Sequence, residues 1–83
     1  DLAGRVGFVL AFAVVHEVPD VGRLFAEVRR ALAPDGSVLF VEPSGHVGEA
    51  AFAAELEAAR RAGLVARPGP RVWRSRSAVL EPA

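Results

Sequence analysis

From Phe8 to Val15 the chain is apolar without a break (Phe8-Val9-Leu10-Ala11-Phe12-Ala13-Val14-Val15), and it then stops at the polar pair His16-Glu17 and at Pro19. Unbroken apolar runs of this length suit a strand buried on both faces, the habit of parallel sheets covered by helices. A strand is predicted over residues 8–13, with residues 16–19 as a loop beyond its C-terminal end. After Pro19 the period changes. Val21, Leu24, Phe25, Val28 and Leu32 fall at helical spacing on one stripe, while Arg23, Glu27 and Arg30 lie opposite. The Asp20 carboxylate can accept the orphan N–H groups of a first turn, so a helix is predicted over residues 20–32. Burying Leu24, Phe25, Val28 and Leu32 contributes about 1.5–3 kcal/mol each, roughly 6–12 kcal/mol together as an upper bound. The stripe docks this helix on a sheet.

Ala33-Pro34-Asp35-Gly36 has the chemistry of a turn, since proline presets φ and Asp and Gly tolerate the remaining positions. A second strand is predicted over residues 37–41, ending in a polar loop over residues 42–46 (Glu42-Pro43-Ser44-Gly45-His46). A strand–helix–strand order makes the two strands parallel, by a right-handed crossover, with their C-terminal ends on one edge. His16, Glu17, Glu42, Ser44 and His46 are thereby expected to share that edge. A second helix is predicted over residues 47–62, with Val47, Phe52, Leu56 and Ala59 inward and Gly63 at a left-handed C′ position. Residues 64–66 and 77–81 read as short strands, antiparallel to each other across a turn at residues 67–70. The fold class is α/β: two parallel strands with a crossover helix, a second helix and a terminal antiparallel hairpin.

Composition limits what this framework holds. At 83 residues the chain makes at most one small domain, and 52% hydrophobic residues exclude a disordered tail. No apolar segment approaches the roughly 20 residues that cross a bilayer. Ten basic residues, all Arg, cancel ten acidic ones, so no long-range field favours nucleic acid or an anionic membrane, and neither is expected as a partner. Without Lys or Cys there is no Schiff-base amine, thiol nucleophile, disulfide or thiolate metal site. The chain opens at Asp1 with no Met, basic n-region or cleavage-site pattern, and is expected to be cut from something longer.

The candidate chemistry lies at the strand ends. His16 can act as a base toward a substrate nucleophile with Glu17 orienting it, or His16 packs on a helix and Glu17 is solvated. His16, Glu17, Glu42 and His46 resemble a two-His, two-carboxylate metal set but have no tight ligand spacing, and no metal is expected. Ser44 sits in Glu-Pro-Ser-Gly-His, which lacks the Gly-x-Ser-x-Gly elbow of a hydrolase. Residues 60–76 hold six Arg and no acid, and read as a solvated hairpin with Trp73 partly packed under snorkelling arginines.

Three stretches, residues 8–20, residues 27–36 (Glu27-Val28-Arg29-Arg30-Ala31-Leu32-Ala33-Pro34-Asp35-Gly36) and Ala62-Gly63-Leu64, resemble the C-terminal half of class I S-adenosylmethionine-dependent methyltransferases, most nearly the small-molecule branch. In that family the first stretch is the fourth strand with its substrate-side loop, and the second is the helix, turn and fifth strand. The resemblance spans about residues 5–81. It implies a Rossmann-like sheet, a cytoplasmic enzyme, S-adenosylmethionine as cofactor and a small-molecule methyl acceptor. It also implies that Ala11, Phe12 and Ala13 lie beside the cofactor's methionine part, and that His16 and Glu17 face the substrate. Without the cofactor Ala11, Phe12 and Ala13 are simply core.

The family's Gly-rich loop and ribose-binding acid have no counterpart here, since Gly4 and Gly7 lack the Gly-x-Gly-x-x-Gly spacing and open no helix. Residues 1–83 are therefore expected to form one partial domain, a single wall of a cleft that lies where strand order reverses. Three readings follow. The chain is part of a methyltransferase, inactive alone; it is a non-catalytic α/β module that self-associates through the exposed edge of its first strand; or it is half of another Rossmann-like enzyme, since fold does not choose the cofactor.

Overall fold

A computed structural model describes residues 4–12, 20–45 and 47–83. Six elements follow in order: β1 (Val6–Phe12), α1 (Val21–Ala31), β2 (Leu32–Pro43), α2 (Glu49–Arg61), β3 (Leu64–Pro68) and β4 (Ser75–Pro82). The four strands make one sheet in the order β1-β2-β4-β3. β1 and β2 are parallel, as the strand–helix–strand order predicts, while β4 is antiparallel to both of its neighbours. The last strand thus inserts between β2 and β3 and does not simply fold back beyond them.

α1 forms where the stripe places it. Asp20 is its N-cap, its Oδ1 accepting the Arg23 N–H at 2.9 Å, and Leu32 is its C-cap. Val21, Leu24, Phe25, Val28 and Leu32 all reach the core. Arg23 and Glu27 meet at 3.6 Å on the exposed face, a contact that adds at most a few tenths of a kcal/mol, ~0.3–0.5. α2 starts two residues later than its apolar pattern suggests. Gly48, extended at φ −71° and ψ 171°, is the N-cap, and Val47 stands before the helix yet is buried. Gly63 takes φ +94° after the helix, the left-handed value expected of it, and its carbonyl accepts both the Arg29 Nε at 3.1 Å and the Ala83 N–H at 2.9 Å. Arg29 so ties α1 to the end of α2.

The strand bounds required more correction than the helices. Ala33-Pro34-Asp35-Gly36 lies within β2, not between elements. Its turn chemistry is nonetheless visible: the pairing jumps from Val6↔Leu32 to Phe8↔Ser37, so five steps on β2 face two on β1. A bulge and a turn demand the same permissive residues. β2 also runs on through Glu42 and Pro43, paired to Arg76 and Ser75 of β4, where a polar loop was expected. Pro is tolerated there because the strand ends at it. β3 and β4 likewise extend past their expected limits.

The helices cover one face of the sheet. Val38 and Phe40 of β2, Ala78 and Leu80 of β4 and Leu64 of β3 join Phe25, Leu32 and Ala59 in one buried cluster, with Val9, Ala11, Phe52 and Leu56 packed against it. Phe40 is its centre, edge-on to Phe25 with ring centroids 5.7 Å apart and stacked on Phe52 at 5.2 Å. Because side chains alternate, Phe8, Leu10 and Val65 point to the other face, and they are 60%, 58% and 42% exposed. Among the described residues no helix is long and apolar enough to cross a membrane.

Candidate functional site

Parallel pairing sets the site. Phe12 lies opposite Val41, so the C-terminal ends of β1 and β2 reach one edge together, and antiparallel β4 brings its N-terminal end, Ser75 and Arg76, to the same place. In open α/β sheets ligands bind beyond the carboxyl ends of the parallel strands.

Two of the expected cofactor-facing residues are described. Ala11 pairs with Phe40, is half-buried and packs its methyl on the core, while Phe12 is the last residue of β1. Ala13, His16, Glu17 and His46 lie outside the described residues, so of the four-residue metal set only Glu42 can be placed. Among the described residues no group of three or more His, Cys, Asp or Glu side chains is positioned to hold a metal ion.

Glu42 is the residue that sequence reasoning misplaced. It is fully buried, the penultimate residue of β2, on the same face as Val38 and Phe40 and opposite Arg76. A carboxylate is almost never fully buried without partners, so polarity alone assigns Glu42 to a loop. The signal that could have found it is alternation: Val38, Phe40 and Glu42 are two apart. Arg76 donates its Nε to the Val47 carbonyl at 3.1 Å, which fixes the start of β4 to the segment before α2.

The loop after β2 is anchored to the turn before β4. Ser44 donates both its backbone N–H and its Oγ to the Arg74 carbonyl, each at 2.9 Å. Arg74 has φ +49°, and its guanidinium lies over the Trp73 ring at 4.6 Å from the centroid. Trp73 is 81% exposed, so the expectation that it is partly packed is corrected. A two-residue hydrogen-bonded turn, closed by the Ser75 N–H on the Val72 carbonyl, lifts the indole off the sheet.

A sequence profile of the methyltransferase-domain family matches residues 3–40, the segment holding β1, α1 and most of β2. No curated protein matches the chain in sequence. Among solved structures, a TehB-like SAM-dependent methyltransferase from Corynebacterium glutamicum is similar over 100% of this chain and 52% of its own, with 24% identity and a TM-score of 0.70. A protein of Sulfolobus solfataricus assigned to the type 11 methyltransferases is similar over 96% of this chain and 52% of its own, with 18% identity and a TM-score of 0.68. The fold is thus a partial Rossmann-like α/β fold of the kind these methyltransferases have. More narrowly, the chain carries the part of that fold that holds two parallel strands and the terminal antiparallel pair, and it spans about half the length of the structures it matches.

Proposed function

We propose that this chain is the substrate-side part of an S-adenosylmethionine-dependent methyltransferase acting on a small-molecule acceptor in the cytoplasm. The observation that carries the reading is the sheet order β1-β2-β4-β3, with one parallel and two antiparallel pairings, in a chain whose first half matches a methyltransferase domain. When bound, the cofactor supplies an electrophilic methyl group, whose transfer depends on alignment more than on proton chemistry. The residues here fit that cofactor only in part. Ala11 and Phe12 end a strand on the ligand edge, and Ala13, His16 and Glu17 follow them in sequence as candidate lining and orienting groups. No Gly-x-Gly-x-x-Gly loop is present to hold the cofactor's nucleoside end.

On this reading residues 1–83 form one partial domain that is inactive by itself, and a second layer covers Phe8 and Leu10. The test is to join the chain, through its N-terminus, to the part of the Corynebacterium glutamicum methyltransferase that it does not cover. The joined protein is expected to bind S-adenosylhomocysteine. A joined protein that folds cooperatively and does not bind it would contradict the reading.

A second reading is favoured by one observation. β1 is an edge strand whose Phe8 and Leu10 are more than half exposed, and such an edge offers unpaired N–H and C=O groups beside apolar surface. The isolated chain is accordingly expected to self-associate by pairing β1 with β1 of a second copy. Light scattering at high concentration should report dimers, and Leu10→Lys should shift them to monomers. A monodisperse monomer of the unsubstituted chain would contradict edge pairing.

A further inference from the structure

We infer that the turn holding Trp73 and Arg74 is a binding site for planar aromatic carboxylates, and that on the methyltransferase reading such a molecule is the methyl acceptor. The role as acceptor rests on that reading; the binding does not. The first ground is placement. Ser75 pairs with Pro43 at the end of β2, so Trp73 and Arg74 stand at the sheet edge where the parallel strands end. The second is chemistry. Trp73 is 81% exposed and Arg74 covers it at 4.6 Å, which leaves indole surface open for stacking. Among the described residues the Arg74 guanidinium has no hydrogen-bond or ion-pair partner, and its planar fork matches a carboxylate in two-point contact. An aromatic ring on Trp73 and a carboxylate on Arg74 use both features together. A neutral ring or a non-aromatic anion uses one.

The third ground is backbone conformation. Arg74 is the only non-glycine with positive φ among the described residues, at +49°, where Asn or Gly is more at ease. Its carbonyl is held there by both donors of Ser44, at 2.9 Å each. Strain maintained by two hydrogen bonds at a ligand edge points to a function for the side chain so displayed. Ser44 is then a positioning residue, acting through Arg74.

Trp73 is the chain's one tryptophan and there is no tyrosine, so its fluorescence reads this turn selectively. The experiment titrates the full chain with benzoate, with benzamide as the neutral counterpart, with acetate as the non-aromatic anion and with a single-stranded oligothymidylate. Benzoate is expected to give a saturable change, and benzamide and acetate to bind several-fold more weakly. Arg74→Gln should weaken benzoate about tenfold, the loss of one charge-assisted contact. Ser44→Ala, which keeps the charge, should weaken it about threefold, and both variants should retain the thermal midpoint of the parent to within a few degrees. Linear quenching by all three small molecules, or benzoate binding unchanged in Arg74→Gln, would overturn the site. Oligothymidylate binding that Arg74→Gln weakens, with no saturable response to benzoate, would also overturn it, and would assign Arg74 to nucleic acid. Because no cofactor is present in any arm, failure here leaves the methyltransferase reading standing, and failure of S-adenosylhomocysteine binding leaves this site standing.

Discussion

Phe40→Ala is expected to lower the thermal midpoint of the chain by roughly 12 °C or more, or to abolish cooperative unfolding. Phe40 is completely buried on the central strand β2 and touches Phe25 edge-on and Phe52 face-to-face, so its removal empties the junction of the sheet with both helices. Truncating a buried Phe costs about 3–5 kcal/mol in lost transfer free energy and residual cavity. A chain of this length has a total stability of roughly 4–12 kcal/mol, and each kcal/mol moves the midpoint of a domain this small by about 4–8 °C. The companion substitution is Val65→Ala, on the exposed face, expected to change stability by no more than about 0.5 kcal/mol. Circular dichroism during heating checks both. Equal, small shifts in the two variants would mean that the Phe25–Phe40–Phe52 contact is not the core.

Gly36→Ala is the second large effect, and its cause is backbone rather than packing. A Cβ at position 36 would stand 2.7 Å from the Val6 carbonyl oxygen, 3.1 Å from the Ala33 carbonyl oxygen and 3.1 Å from a Leu32 methyl. Two of these neighbours are main-chain atoms that cannot rotate away. The bulge at Leu32–Ser37 must therefore open, which moves β1 away from β2 at the start of their pairing. Forcing atoms into a filled site costs typically about 1–3 kcal/mol, so the midpoint should fall by roughly 4–24 °C at 4–8 °C per kcal/mol. Denaturant unfolding should show a lower midpoint concentration with an unchanged slope. A neutral Gly36→Ala would mean that the pairing of Val6 with Leu32 does not form.

These two positions also show how far the chain could be read in advance. α1 was legible to within one residue at each end, because an N-cap carboxylate and a five-residue apolar stripe agree on one answer. The parallel pairing of β1 and β2 followed from connectivity. The insertion of β4 between β2 and β3 did not, since pairing between distant segments leaves no local periodicity. Pro34, Asp35 and Gly36 spoke for a turn and became a bulge, two structures that ask for the same backbone freedom.

Of the candidate site, the edge was legible and its best-defined groups were not. Polar composition assigned Glu42 to solvent although its alternation with Val38 and Phe40 placed it in the strand. Trp73 was expected to pack because large aromatics usually do. A tight turn, itself held by Ser44 of another loop, presents it to solvent instead. That contact joins residues 30 positions apart, and no window along the sequence contains both.

On the proposed reading, residues 1–83 form one wall of a cofactor cleft and bind the cofactor only when the other wall is supplied. Isothermal titration of the 83-residue chain with S-adenosylhomocysteine tests it most directly. No saturable heat is predicted for the chain alone; micromolar binding by the chain alone would contradict the claim.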